Sequence, residues 1–90
     1  MGVVYVIGAG SWGAALGQAA RAAGHAVTLC GRNRDTIEAI NTTHRLPSYL
    51  DDLVLDAGIR AQTGFAGLEQ ADLVLMVVPA QATRETLEAI

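Results

Sequence analysis

Three apolar runs of strand length and one weaker, mixed stretch punctuate the chain. The stretches between them carry either helical spacing or turn residues. Val3-Val4-Tyr5-Val6-Ile7 is five apolar residues in a row, the pattern of a strand buried on both faces. Residues 12–23 are alanine-rich and have high helix propensity. Ser11 is placed to cap that helix, and Gly24 suits the left-handed position that closes it. Residues 26–30 form a second short strand. Residues 34–40 read as a short helix, with Ile37 and Ile40 inward and Asp35 and Glu38 in its amino-terminal half. Residues 41–55 hold Thr42, Thr43, Pro47, Ser48, Asp51 and Asp52, and predict a loop of about 15 residues, long for a compact domain. Residues 59–63 are a weaker third strand, and residues 65–70 one or two helical turns. Leu73-Val74-Leu75-Met76-Val77-Val78 is the most hydrophobic strand, and Pro79 stops it. A further helix starts at Gln81.

Strand and helix therefore alternate four times, which predicts an α/β parallel sheet covered by helices on both faces. Gly8-Ala9-Gly10-Ser11-Trp12-Gly13 fills the turn from the first strand into the first helix. A G-x-G-x-x-G alone is a weak signal. Bracketed by a buried strand and a helix, it is the fingerprint of a Rossmann-type dinucleotide site. Gly8 allows the tight turn, Gly10 lets backbone approach a pyrophosphate, and Gly13 lets the helix lie close on the sheet. The pyrophosphate then meets the free N–H groups and positive dipole end of the helix. Right-handed crossovers give the strand order 3-2-1-4, so the winding reverses between the first and fourth strands. The glycine loop and Pro79-Ala80-Gln81 meet at that reversal and form the walls of the expected crevice.

Composition narrows the partners. The 90 residues are 51% hydrophobic and 17% charged, one small globular domain with few aromatics. A chain of this size buries about 60–65% of its unfolded surface, so its stability is marginal. Net charge is −3 with no basic run, which argues against nucleic acid. No apolar run reaches the ~20 residues of a membrane span, and no signal peptide is visible, so a cytoplasmic location is expected. Cys30 is the single cysteine, so neither an intrachain disulfide nor a metal cluster is expected. It reads as a small packed hydrophobe rather than a catalytic thiol.

The end of the second strand selects the dinucleotide. An NAD-selective site carries an acid there for the ribose 2′-hydroxyl. Here the sequence is Leu29-Cys30-Gly31-Arg32-Asn33-Arg34, with arginines in place of the acid. Arg32 suits the adenosine 2′-phosphate of NADP, with Asn33 and Arg34 as support. The competing reading makes Arg32 and Arg34 solvated loop charges.

The chain resembles the bacterial NAD(P)-dependent glycerol-3-phosphate dehydrogenases over its whole length. The resemblance rests on Gly-Ala-Gly-Ser-Trp-Gly at 8–13, Gly24-His25-x-Val27-x-Leu29-x-Gly31-Arg32, and Ile40-Asn41-x-x-His44. Tyr49-Leu50, Ala71-Asp72-Leu73-Val74-Leu75 and Val77-Val78-Pro79-Ala80-Gln81 extend it. The Ser-Trp pair and the Ile-Asn-x-x-His segment are more specific than the glycines. The resemblance implies an oxidoreductase that interconverts dihydroxyacetone phosphate and sn-glycerol 3-phosphate for glycerophospholipid synthesis, with NADP or NAD as cofactor. It carries cofactor contacts onto Ser11, Trp12, Arg32, Asn33 and Tyr49, and backbone contacts onto the glycine and Pro79 loops. Trp12 either shields the pyrophosphate side or is a packing residue. Tyr49 flanks the adenosine or pins its loop. His44 reads as a loop anchor rather than a catalyst, and His25 as a surface turn residue. The family's His-x-Asn-x-x-Tyr-Leu-Pro is replaced here by His44-Arg45-Leu46-Pro47-Ser48-Tyr49-Leu50-Asp51.

Family members are several times longer, and their catalytic lysines and phosphate-gripping residues lie beyond residue 90. This chain has no lysine, and no catalytic residue is assigned to it. The expectation is therefore a cofactor-binding portion, inactive by itself, without the substrate domain that would take dihydroxyacetone phosphate or sn-glycerol 3-phosphate. Two other readings stand beside it: a non-catalytic NADP(H)-binding or sensing module, and the cofactor half of another dehydrogenase. The outer edge of the fourth strand, residues 73–78, has no charge and high β-propensity. It is expected to drive self-association.

Overall fold

The computed structural model describes residues 2–8, 11–46, 53–77 and 88. Four parallel strands make the sheet: β1 (Val3–Ile7), β2 (Ala26–Gly31), β5 (Arg60–Thr63) and β6 (Leu73–Met76), in the order β5-β2-β1-β6. This is the expected 3-2-1-4 order, with the reversal between β1 and β6. Register is continuous across the centre, where Val6 pairs with Leu29 on one side and Leu75 on the other.

Helices α1 (Ser11–Ala22) and α2 (Arg34–Thr43) both pack on one face of the sheet. Period-two alternation in the strands sends Val4, Val6, Val27, Leu29 and Ala61 to that face, where they meet Ala14, Ile37, Ile40, Leu55 and Ile59. The other face presents Tyr5, Ile7 and Cys30. Phe65, Leu68 and Ala71, in and around a 3₁₀ turn (Leu68–Gln70), cover it. Tyr5 Oη and Gln62 Nε2 both donate to the Ala66 carbonyl, at 3.2 and 2.9 Å, and hold the turn down.

Helix ends follow local chemistry. Gly24 has φ +95, with Gly24 N–H to Arg21 O and His25 N–H to Ala20 O, the paired bonds of a left-handed C-terminal stop. Ser11 is itself the first residue of α1, so it is not the residue before the helix that the sequence pattern suggested.

Four expectations change. The helix after Arg34 runs past Ile40 to Thr43, because Asn41 gains a tertiary partner described below. His44 then ends it in the left-handed conformation at φ 59, donating its N–H to Ile40 O. The predicted loop at 41–55 contains, besides the helix end, an antiparallel ladder of β3 (Arg45–Leu46) and β4 (Leu53–Val54). His25 is not a free surface residue: it is half-buried, and its Nδ1 accepts from Gly2 N–H at 3.0 Å. The turns expected at 65–70 are a single 3₁₀ turn. The described part of the fourth strand ends at Met76. Of the helix expected from Gln81, only Glu88 is described, and it is helical.

Candidate functional site

The carboxyl ends of β1, β2 and β6 are tied together at one point. Gly8 N–H donates to the Cys30 carbonyl at 2.7 Å, and Val77 N–H donates to the Ile7 carbonyl at 2.8 Å. Gly8 sits at φ +118, and a Cβ there would overlap the Val77 carbonyl oxygen. A Cβ on Gly13 would overlap the Gly8 carbonyl oxygen and touch Val6 Cγ1 at 3.4 Å. The first turn of α1 is therefore pressed onto the strand end, as close as backbone permits. The turn and close-approach roles assigned to these two glycines are visible as geometry. Gly10, Tyr49 and Pro79 lie outside the described residues.

Electrostatics at this point favour an anion. The amino terminus of α1 carries the positive end of a 12-residue dipole, and its first turn holds no acidic residue. The first turn of α2, by contrast, carries Asp35. Trp12 follows at the second position of α1 and is 78% exposed, so among the described residues it is not a packing residue. Arg32 is exposed and follows the last residue of β2, two positions after the Cys30 carbonyl that holds Gly8. Asn33 next to it caps α2: its Oδ1 accepts from Thr36 N–H at 3.1 Å. That cap fixes the backbone on the far side of Arg32, and among the described residues no bond to the Asn33 amide nitrogen is seen.

These residues fit a dinucleotide. Gly8 and Gly13 leave a cradle that a side chain would fill, the helix end supplies N–H groups, and the exposed Arg32 follows the end of β2. Cys30 lies beneath the site. Burial pushes its thiol above the ordinary value, and Gln62 Nε2 at 3.6 Å from Sγ opposes that only in part. The thiol is buried and protonated, a packing group.

A second concavity of about 580 Å³ wraps the β5 edge and is lined by residues including Tyr5, Thr28, Asn41, His44, Arg60 and Gln62. Tyr5, Asn41 and Gln62 spend their polar groups on hydrogen bonds within the fold, whereas the His44 Nδ1 is buried with no hydrogen-bond partner among the described residues. The Asn41 side chain donates to the Ala61 carbonyl at 2.8 Å and accepts from Ala61 N–H at 2.9 Å, as a neighbouring strand would. The spacing of residues in sequence gave no sign of that pairing, which joins positions 20 apart. The Arg21–Asp56 ion pair at 3.2 Å was equally invisible. Asp56 also accepts from Gly58 N–H at 2.7 Å, which, with Arg21, holds its carboxyl below the usual range.

Residues 3–90 match the family described as NAD-dependent glycerol-3-phosphate dehydrogenase N-terminus. The chain belongs to this family. It is 48% identical over 86 residues to a glycerol-3-phosphate dehydrogenase [NAD(P)+] of Caulobacter vibrioides, covering 96% of this chain and 26% of that protein. A Maricaulis maris protein of the same name is 47% identical over 83 residues, covering 92% and 25%. The chain thus spans about a quarter of the length of these glycerol-3-phosphate dehydrogenases. Among solved structures, a Ralstonia solanacearum protein described as a ketopantoate reductase superposes with TM-score 0.73 at 28% identity, over 100% of this chain and 27% of that one. A 2-dehydropantoate 2-reductase from Enterococcus faecalis gives 0.72 at 25%, over 97% and 28%. The fold is thus shared with those reductases, while sequence places the chain in the glycerol-3-phosphate dehydrogenase N-terminus family. No helix among the described residues is long and apolar enough to cross a membrane.

Proposed function

We propose that this chain is the dinucleotide-binding domain of a glycerol-3-phosphate dehydrogenase, and that it binds NADP(H) in preference to NAD(H). The observation that carries the reading is the glycine turn: Gly8 at φ +118 under the acid-free amino end of α1, at the reversal of the strand order. In this reading Gly8, Gly10 and Gly13 admit the pyrophosphate, and Ser11 and the first N–H groups of α1 bind its oxygens. Trp12 shields it from water. Arg32 pairs with the 2′-phosphate, with Asn33 beside it, and Tyr49 and Pro79 complete the walls.

The bound reduced dinucleotide supplies hydride for reduction of a carbonyl. The residues of this chain bind, orient and exclude water. With no lysine here, the proton donor and the grip on the substrate phosphate belong to a substrate domain beyond residue 90. The full-length protein then reduces dihydroxyacetone phosphate to sn-glycerol 3-phosphate for glycerophospholipid synthesis. The chain alone turns nothing over. A cytoplasmic location goes with this reading.

The β6 edge belongs to the same proposal. Leu73 and Val74 are 52% and 38% exposed. Isolated chains pair through this edge, and sedimentation at rising concentration reads it. The cofactor reading is tested by titrating NADPH and NADH into the wild type and Arg32→Ala. Loss of about tenfold or more in NADPH affinity, with NADH unchanged, is the expected result for a charge-assisted phosphate contact. Equal behaviour toward both cofactors in both proteins rules out the Arg32 assignment.

A further inference from the structure

The two helices on one sheet face differ in what they show to solvent. The exposed residues of α2 are Arg34, Asp35, Glu38, Asn41, Thr42 and Thr43, a polar surface. Those of α1 are Trp12, Ala15, Leu16, Gln18, Ala19 and Ala22. Gln18 is turned aside, its Oε1 accepting from Asp56 N–H at 2.9 Å. The rest is apolar and carries no charge. The inner face of α1 is already packed, through Ala14 and Gly13, on the sheet. A helix apolar on both its inner and outer faces belongs in an interior.

We infer that the outer face of α1, centred on Trp12 and Leu16, is the seat of the remaining part of the full-length dehydrogenase, packed in cis. The inference rests on the reading of this chain as the amino-terminal part of such an enzyme. Three observations choose the occupant. The relatives extend for about three times the matched length beyond this region. The strip begins at Trp12, within the glycine turn that the reading above assigns to the cofactor. The strip is also small. A 12-residue helix is about 18 Å long and 10 Å wide, so one face offers on the order of 200 Å². A stable pair of separate chains buries about 800 Å² on each partner. A tethered domain needs no such area, because linkage raises its effective concentration. The alanines at 15, 19 and 22 leave no bulk between Trp12 and Leu16 and the far end, so an apolar helix of the second domain can lie close.

Hydroxyl-radical footprinting without cofactor, read at Trp12 and Leu16 by mass spectrometry, tests this. The 90-residue chain is compared with a full-length protein in which it replaces the matching quarter of the Caulobacter vibrioides relative. Trp12 oxidation is expected to slow by about fivefold or more in the full-length protein, as 78% exposure falls to that of a core contact. Leu16→Glu and Ala19→Glu should restore fast oxidation there and change nothing in the 90-residue chain. Equal oxidation rates in the two proteins overturn the inference. So does concentration-dependent protection of Trp12 in the 90-residue chain, which would make a second copy the occupant. The relative's own full-length protein, footprinted over the helix that aligns with α1, gives the same reading without a junction. NADPH titration of the chain alone fails or succeeds independently of all these results.

Discussion

Among the described residues, the β5 side of the sheet is finished and the β6 side is not. On the β5 side, Asn41 supplies the hydrogen bonds of a missing neighbour strand to Ala61, and α2 above it is capped by Asn33 and His44. Its outer surface is polar. On the β6 side, Leu73 and Val74 are exposed along the edge, while α1, which packs over β1 and β2, exposes Trp12 and Leu16. Each side obeys the same rule, that polar backbone and apolar area need partners. One side meets it with its own residues. The other, among the described residues, does not, and the glycine turn that touches Val77 adjoins it.

The sharpest break is at the turn. Gly13→Ala drives a methyl into the Gly8 carbonyl, and a cost of about 3 kcal/mol or more is expected in denaturant unfolding. Wild-type stability for this variant would mean the unfinished side is loose at its centre. Next is the plug. Asn41→Ala strips the Ala61 N–H and carbonyl of their partners, for about 1–3 kcal/mol, and opens a second edge. Dimerisation through β5 as well as β6 is then expected by sedimentation. No change in either quantity would show that the β5 side owes nothing to Asn41.

Asp56 ties α1 to the loop after β4 and gives a smaller effect with a defined sign. Its carboxyl is held low by Gly58 N–H and then by Arg21. Its contribution is therefore present above the unfolded carboxylate's titration and lost as pH falls through the lowered value in the folded protein. Asp56→Asn should be less stable than wild type at neutral pH, with the two curves converging as pH falls through the lowered carboxyl value. A gap that stays constant with pH would assign the loss to something other than charge. Smallest in stability is Val74→Lys, within about 0.5 kcal/mol, yet it should abolish β6-edge association. A Val74→Lys chain that still dimerises places the contact elsewhere.

Local chemistry made the strand order, the glycine turn and the Gly24 stop legible, because each rests on neighbours in sequence. Asn41, His25 and Asp72 were not legible in their roles. Asn41 reaches Ala61, His25 accepts from Gly2, and Asp72 Oδ2 accepts from Val3 N–H at 2.7 Å. Each is a polar side chain serving a backbone group 20 or more positions away, and no local pattern marks it. The helix end at Thr43 was missed for the same reason: Thr42 and Thr43 are weak helix formers, and the Asn41 pairing outweighs them. In the site, residue type alone pointed to Arg32, while the cap that leaves Asn33 half-occupied needed coordinates.

The central claim is that the unfinished side holds the dinucleotide. Amide chemical shifts of the isotopically labelled chain, followed as NADPH is added, test it most directly. Saturable shifts are predicted at Gly8, Trp12, Gly13, Arg32 and Val77, with Thr42, Thr43 and the β5 edge at Ala61 unmoved. Shifts confined to the β5 cleft, or none at all, would contradict it.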